Sequence, residues 1–183
     1  MKKKKQKYPK CPCCGIEKHR TEVRQAISIL EKIARQEYKH YKELGFGVGV
    51  NDDYEWACDE CLASKKAIEA NPGLQNYCLH PHIAYSDVTF NCNTCGNDFI
   101  FSKEEKKFWY ENLKFWIDSR PNNCVDCRKE IRQLKIENKL ISGILSKEES
   151  EMTHEELESV IAIYSKWEKL ERAKYYTSVL KKK

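Results

Sequence analysis

The chain is 183 residues long, carries a formal charge of +5, and is 40% hydrophobic and 33% charged. A mean hydropathy of -0.76 and the lack of any run of roughly 18 apolar residues exclude a membrane span, and the 11% aromatic content excludes a disordered chain. Ten cysteines follow a start whose lysine run leads into YPKCPCCG rather than into an apolar export signal, so a cytoplasmic metal-binding protein is expected instead of a disulfide framework.

Residues 1–10 form a tail with Lys2, Lys3, Lys4, Lys5, Lys7 and Lys10. The first C-x-x-C pair, Cys11 and Cys14, follows at once and ends on Gly15. From about Lys18 to Leu44, the residues Val23, Ile27, Leu30, Ala34, Tyr38 and Tyr41 recur at steps of three and four, which predicts one long amphipathic helix stopped by Gly45. GFGVGV lacks the Lys-Ser/Thr of a phosphate loop and reads as a turn into a short strand. Cys58 and Cys61 make the second pair, residues 62–70 are helix-permissive, and Asn71-Pro72-Gly73 is a stop.

A linker leads to residues 83–92, which alternate as a strand running into the third pair, Cys92 and Cys95, with Gly96 behind it. Residues 98–101 suit its hairpin partner. Ser102 and Glu105 form a capping box that opens a helix to about Ile117, and Pro121 precedes the fourth pair, Cys124 and Cys127. Ile131, Leu134, Ile141 and Leu145 mark a further amphipathic helix. After the polar break SKEESEM, a capping box at Thr153 and Glu156 opens a last helix with Val160, Ile163, Trp167, Leu170, Ala173 and Leu180. These two helices predict a hairpin or a dimer interface.

Four pairs of one spacing are the strongest signal in the chain. A C-x-x-C turn brings two thiolates to one side of the backbone, and two turns close a tetrahedral zinc site with no open position. Spacing alone does not pair the turns. Chain order groups Cys11, Cys14, Cys58 and Cys61 in one site and Cys92, Cys95, Cys124 and Cys127 in a second, with interleaved pairing as the alternative. Two Zn2+ per chain are expected. Cys13 should point away from a metal held by its neighbours, whereas Cys78, His80 and His82 could supply three ligands to a third metal or simply pack. His19, His40 and His154 are expected to face solvent.

Residues 88–129 resemble a family of probable zinc-ribbon domains in uncharacterised bacterial proteins, with matches at Cys92, Cys95, Gly96, Phe99, Phe101, Glu105, Trp109, Tyr110, Glu111, Phe115, Pro121, Cys124, Cys127 and Arg128. The resemblance implies a ribbon holding one zinc through its four cysteines and supports the pairing of the second site. Lys106 stands where the family has Gln. The fold expected is α+β and mostly helical: a tail at 1–10, a zinc-knuckle module with a helical insertion at 11–73, a zinc ribbon at 83–130 and C-terminal helices at 131–183.

A zinc saturated by four thiolates cannot activate water, and no G-x-S-x-G, Walker or H-E-x-x-H motif is present, so an enzyme is not expected. A binding module is. Its positive charge points to nucleic acid, although the eight thiolates and two Zn2+ would bring the folded protein to about +1, leaving the charge concentrated in the tails. Lys103, Lys106, Lys107 and Lys114, interleaved with Trp109, Tyr110 and Trp116, are candidates for a stacking platform, against their ordinary use as core. The alternative is a protein-interaction or self-assembly module, with Tyr164 and Trp167 of the C-terminal helices as anchors if exposed. A remote alternative is a degenerate HNH-like nuclease built on His80, His82 and Asn91, whose expected histidine after the third cysteine pair is replaced by Gly96 and Asn97.

Overall fold

The computed structural model describes residues 10–35, 54–76, 78 and 80–183. The chain divides into two compact units, Met1–Cys124 and Val125–Lys183. The lysines at positions 2–7, the second half of the expected long helix, the GFGVGV turn and His40 lie outside the described residues.

The first unit begins with the Cys11–Gly15 turn, closed by a bridge between Lys10 and Glu17. A 3-10 turn, Arg20–Glu22, is capped by His19 and leads into α1, Arg24–Ala34. Ala26, Ile29, Leu30 and Ile33 line its buried face at helical spacing. No side chain of its own caps α1; instead the Asp59 carboxylate accepts from the backbone amides of Arg24 and Gln25, each at 3.1 Å. That fixes α1 against α2, Asp59–Ala63, over a core containing Trp56 and Ile83.

Where residues 62–70 read as helix-permissive, α2 stops early. Lys65 turns the chain at φ 59°, and Ala67–Glu69 forms β1, antiparallel to β2, Ala84–Ser86. Burying Ala67 outweighs its helix propensity. The strand expected over 83–92 is likewise split at Asp87, with β3, Val88–Asn91, pairing with β4, Asp98–Phe101, so that Asn91 faces Asp98 and Val88 faces Phe101. Asp87 is occupied otherwise, its carboxylate accepting from the Lys103 amide at 2.8 Å. Ser102 caps α3, Lys103–Lys107, as its sequence predicts. The helix then widens into a π turn, Phe108–Asn112, and ends short of Ile117 because Lys114 takes φ 57°. Tyr110 and Glu111, consecutive in sequence, are both buried by that turn.

The second unit contains three helices: α4, Val125–Leu145; α5, His154–Lys166; and α6, Leu170–Leu180. The capping box at Thr153 and Glu156 is complete in both directions. The single last helix of the sequence reading is two helices, because Glu168 adopts φ 57° and folds α6 back on α5. Ile141, Ile144, Met152, Leu157, Val160, Tyr164 and Ala173 form the core, where truncating Leu157 would cost about 2–5 kcal/mol. Tyr164 is buried and Trp167 is half-buried against the same core. Among the described residues no helix is long and apolar enough to cross a membrane.

Glu137, buried on α4, ties these helices together. It accepts from Gln133 at 2.8 Å, Lys166 at 2.5 Å and the Trp167 indole at 2.8 Å. The Lys166 bond first, then that of Gln133, lowers its pKa from 4.5 to about 2. Because the folded value lies below the unfolded one, the stabilisation is present above about pH 4.5 and is lost as pH falls towards about 2. The Trp167 indole N–H resonance should therefore titrate with a midpoint near 2 and move upward in Lys166→Met; an ordinary carboxylate midpoint in the unaltered protein would contradict this network.

Candidate metal centres

Each of the two four-cysteine groups expected from chain order is assembled. Cys11, Cys14, Cys58 and Cys61 place their sulfurs within 4.8 Å of one another, and so do Cys92, Cys95, Cys124 and Cys127. No interleaved set is gathered among the described residues.

The two sites share one local design. In each knuckle the chain reverses at a glycine in the left-handed region, Gly15 at φ 71° and Gly96 at φ 74°, a conformation a side chain would strain. The glycine amide returns to the carbonyl of the first cysteine, Gly15 to Cys11 at 2.7 Å and Gly96 to Cys92 at 2.9 Å. The amide of that first cysteine reaches across the turn, Cys11 to Ile16 at 3.0 Å and Cys92 to Asn97 at 2.9 Å. The second pair of each site comes from the start of a helix. Cys58 caps α2 and Cys61 lies in it, while Cys124 stands just before α4 and Cys127 in its first turn. The amides of Cys58 and Cys124 then donate to the sulfurs of Cys11 and Cys92, both at 3.3 Å. A ribbon would carry its second pair on another hairpin; here a hairpin or turn meets a helix N-terminus, whose positive end favours thiolate.

The donor sets fit zinc. A tetrahedron with Zn–S bonds of roughly 2.3 Å has edges of about 3.8 Å, and the sulfurs of Cys95 and Cys124 are 3.9 Å apart. Four sulfurs and no oxygen select a soft, tetrahedral ion, which would supply folding energy rather than a reactive position. The protonation chemistry of the bare thiols agrees. Burial pushes Cys11 and Cys61 up, whereas amide bonds, that of Cys95 foremost, draw Cys92 down to about 6. A divalent cation is what allows four thiolates to share each small volume.

Lys18 is a feature of the first site that spacing did not signal. Its side chain is almost wholly buried and bonded to Glu60 at 3.0 Å. That bond, and after it the nearby Cys58, Glu60 and Cys14 charges, raise its pKa, so a fixed cation offsets the excess negative charge of a tetrathiolate.

The third metal set is not gathered among the described residues. Cys13 is half-buried against the core of the first unit, and Cys78 is half-buried. His80 lies edge-on to Tyr54 at 5.4 Å. His82 lies with Nδ1 3.1 Å from the Glu55 carboxylate and Nε2 3.1 Å from the Ile117 carbonyl. His19 and His154 are exposed, as expected.

A family described as a probable treble clef domain matches residues 86–135. The span takes in the β3–β4 hairpin, both cysteine pairs of the second site and the first half of α4, which is the hairpin-and-helix arrangement described above. No curated protein and no solved structure matches the chain.

If the two sites are independent, Cys58→Ser and Cys95→Ser should each retain one zinc per chain by elemental analysis, and the double variant none. Two zincs in either single variant would contradict the grouping.

Proposed function

We propose that the chain is a non-enzymatic, zinc-stapled module that binds single-stranded nucleic acid. The observation that supports this reading best is the surface made by the π turn and the loop after it. Trp109 and Tyr110 turn inward, and Trp109 lies edge-on to Phe101 at 5.0 Å. Phe108, Phe115 and Trp116, which a small domain would be expected to bury, are instead 52%, 40% and 66% exposed. Three large aromatic side chains open to water within nine positions cost free energy unless something covers them. Bases do so without regard to sequence, at about 1–3 kcal/mol per stacked base.

The lysines expected to flank this surface have other employment. Lys106 is buried against Glu55 at 2.5 Å, Lys107 pairs with Glu111 at 2.9 Å, and Lys103 lies near Asp87 and Glu104. Phosphate attraction therefore falls to Arg120 beside the aromatics and to the lysine tails at residues 2–10 and 181–183. Stacking supplies the site and the tails supply long-range attraction. Catalysis is left out of the reading because a metal held by four sulfurs has no open position and because His82, the residue an HNH-like centre would need, is not gathered with other ligands among the described residues.

A second reading, protein docking, is favoured by Leu134, Ile136 and Leu140, which remain exposed on α4. Fluorescence anisotropy with a labelled ten-nucleotide single strand and a duplex of equal length separates the two. The single strand should bind more tightly, binding should survive removal of residues 1–9 and 181–183, and Trp116→Ala should weaken it about tenfold. Binding that disappears with the tails, or no binding, would leave the docking reading in front.

A further inference from the structure

The first unit contains a cavity of about 310 Å³ beside the β3–β4 hairpin, and its walls differ in chemistry. One wall is aromatic. Phe90 and Phe101 project from the same face of the hairpin, their ring centroids 6.4 Å apart, with Tyr110 next to Phe101 at 6.4 Å. The floor is polar. Lys106 donates one of its three N–H groups to Glu55 at 2.5 Å, and the other oxygen of Glu55 faces His82 at 3.1 Å. A donor and an acceptor with remaining hydrogen-bond capacity therefore stand side by side near an apolar wall of mutually inclined rings. At the rim are Asp118 and Arg120, both exposed, with the Arg120 guanidinium 5.7 Å from the centre of the Phe90 ring.

We propose that this cavity receives one unstacked nucleobase of a single strand, a proposal that rests on the nucleic-acid reading above and gives it a specificity site. The charges of the lining are nearly balanced, Glu55 and Asp118 against Lys106 and Arg120. A free phosphate would find no cationic excess there, and a lipid chain would outgrow the volume. A planar, neutral ring with donors and acceptors on its edge matches both walls: its face lies on the half-buried Phe90 ring, and its edge reaches Lys106 and Glu55. Arg120 is placed to meet the phosphate of the same nucleotide. The segment 117–120 at the mouth continues directly from Phe115 and Trp116, so a strand stacked on those two side chains is delivered to the opening. Trp116 provides affinity, and the cavity decides which base is preferred.

The test uses the full zinc-loaded chain with ten-nucleotide homopolymers of each base and, separately, N-acetyl-tryptophanamide as a stand-in for an aromatic peptide side chain. NMR contacts between base protons and the Phe90 ring are expected. Arg120→Ala, at an exposed position, and Phe90→Leu, which keeps the hairpin apolar, should each weaken the preferred homopolymer about tenfold and narrow the differences among the four, with two zincs per chain retained as the check on folding. Tight binding lost in Trp116→Ala but unchanged in both cavity variants, without contacts to Phe90, would overturn the cavity proposal while leaving the nucleic-acid reading intact. Contacts to Phe90 from N-acetyl-tryptophanamide and from none of the oligonucleotides would overturn it in favour of a peptide, and absence of all oligonucleotide binding would overturn both readings.

Discussion

Four cysteine sulfurs held within 4.8 Å of one another, at two places in one chain, are the constraint on which the fold of the first unit and the start of α4 depend. Ionised, they repel; protonated, they waste a converging set of amide donors. A tetrahedral dication resolves the conflict, and the backbone is arranged for it. Left-handed glycines turn each knuckle, and an amide from each helix start reaches the opposite sulfur at 3.3 Å. Lys18 adds a cation at the first site. The fold of this unit is thus organised around charge as much as around apolar burial.

The remaining architecture shows why a staple is needed. Among the described residues, both sheets have two strands of three or four residues, and such hairpins are marginal in water without further support. Cys92 and Cys95 of the second cysteine group stand at the turn of β3–β4, and the aromatic cluster of Phe101, Trp109 and Tyr110 packs with Tyr85 and Ala70. Holding that cluster in place with metal leaves neighbouring aromatic side chains available to solvent, which a domain relying on core burial alone could hardly spare. The second unit differs. Its three helices close over their own apolar core and a buried carboxylate.

The sequence made the metal sites readable because a C-x-x-C turn is local and its geometry leaves little choice. The Ser102 cap and the Thr153 capping box were readable for the same reason. What it concealed depends on non-local placement or on single backbone torsions. Lys65, Lys114 and Glu168 take positive φ without the glycine that would have marked a turn, so α2 and the aromatic helix end early and the last helix divides. The spacing is silent at a related point: hairpin and helix starts carry the same C-x-x-C, and only the chain around Cys61 and Cys127, helical here, tells them apart. The cavity could not be read at all, since Glu55, His82, Lys106 and Arg120 come from four separate stretches and share no motif.

Affinity on exposed aromatics, base choice in a neighbouring cavity and stability from two saturated metal sites form one account, and it stands on the sulfur coordination. X-ray absorption at the zinc edge of the purified full-length protein tests this most directly. The account predicts two zincs per chain, each with four sulfurs at about 2.3 Å and no nitrogen or oxygen shell. A mixed shell, or a single metal, would contradict it by reopening a coordination position and with it the prospect of chemistry at the metal.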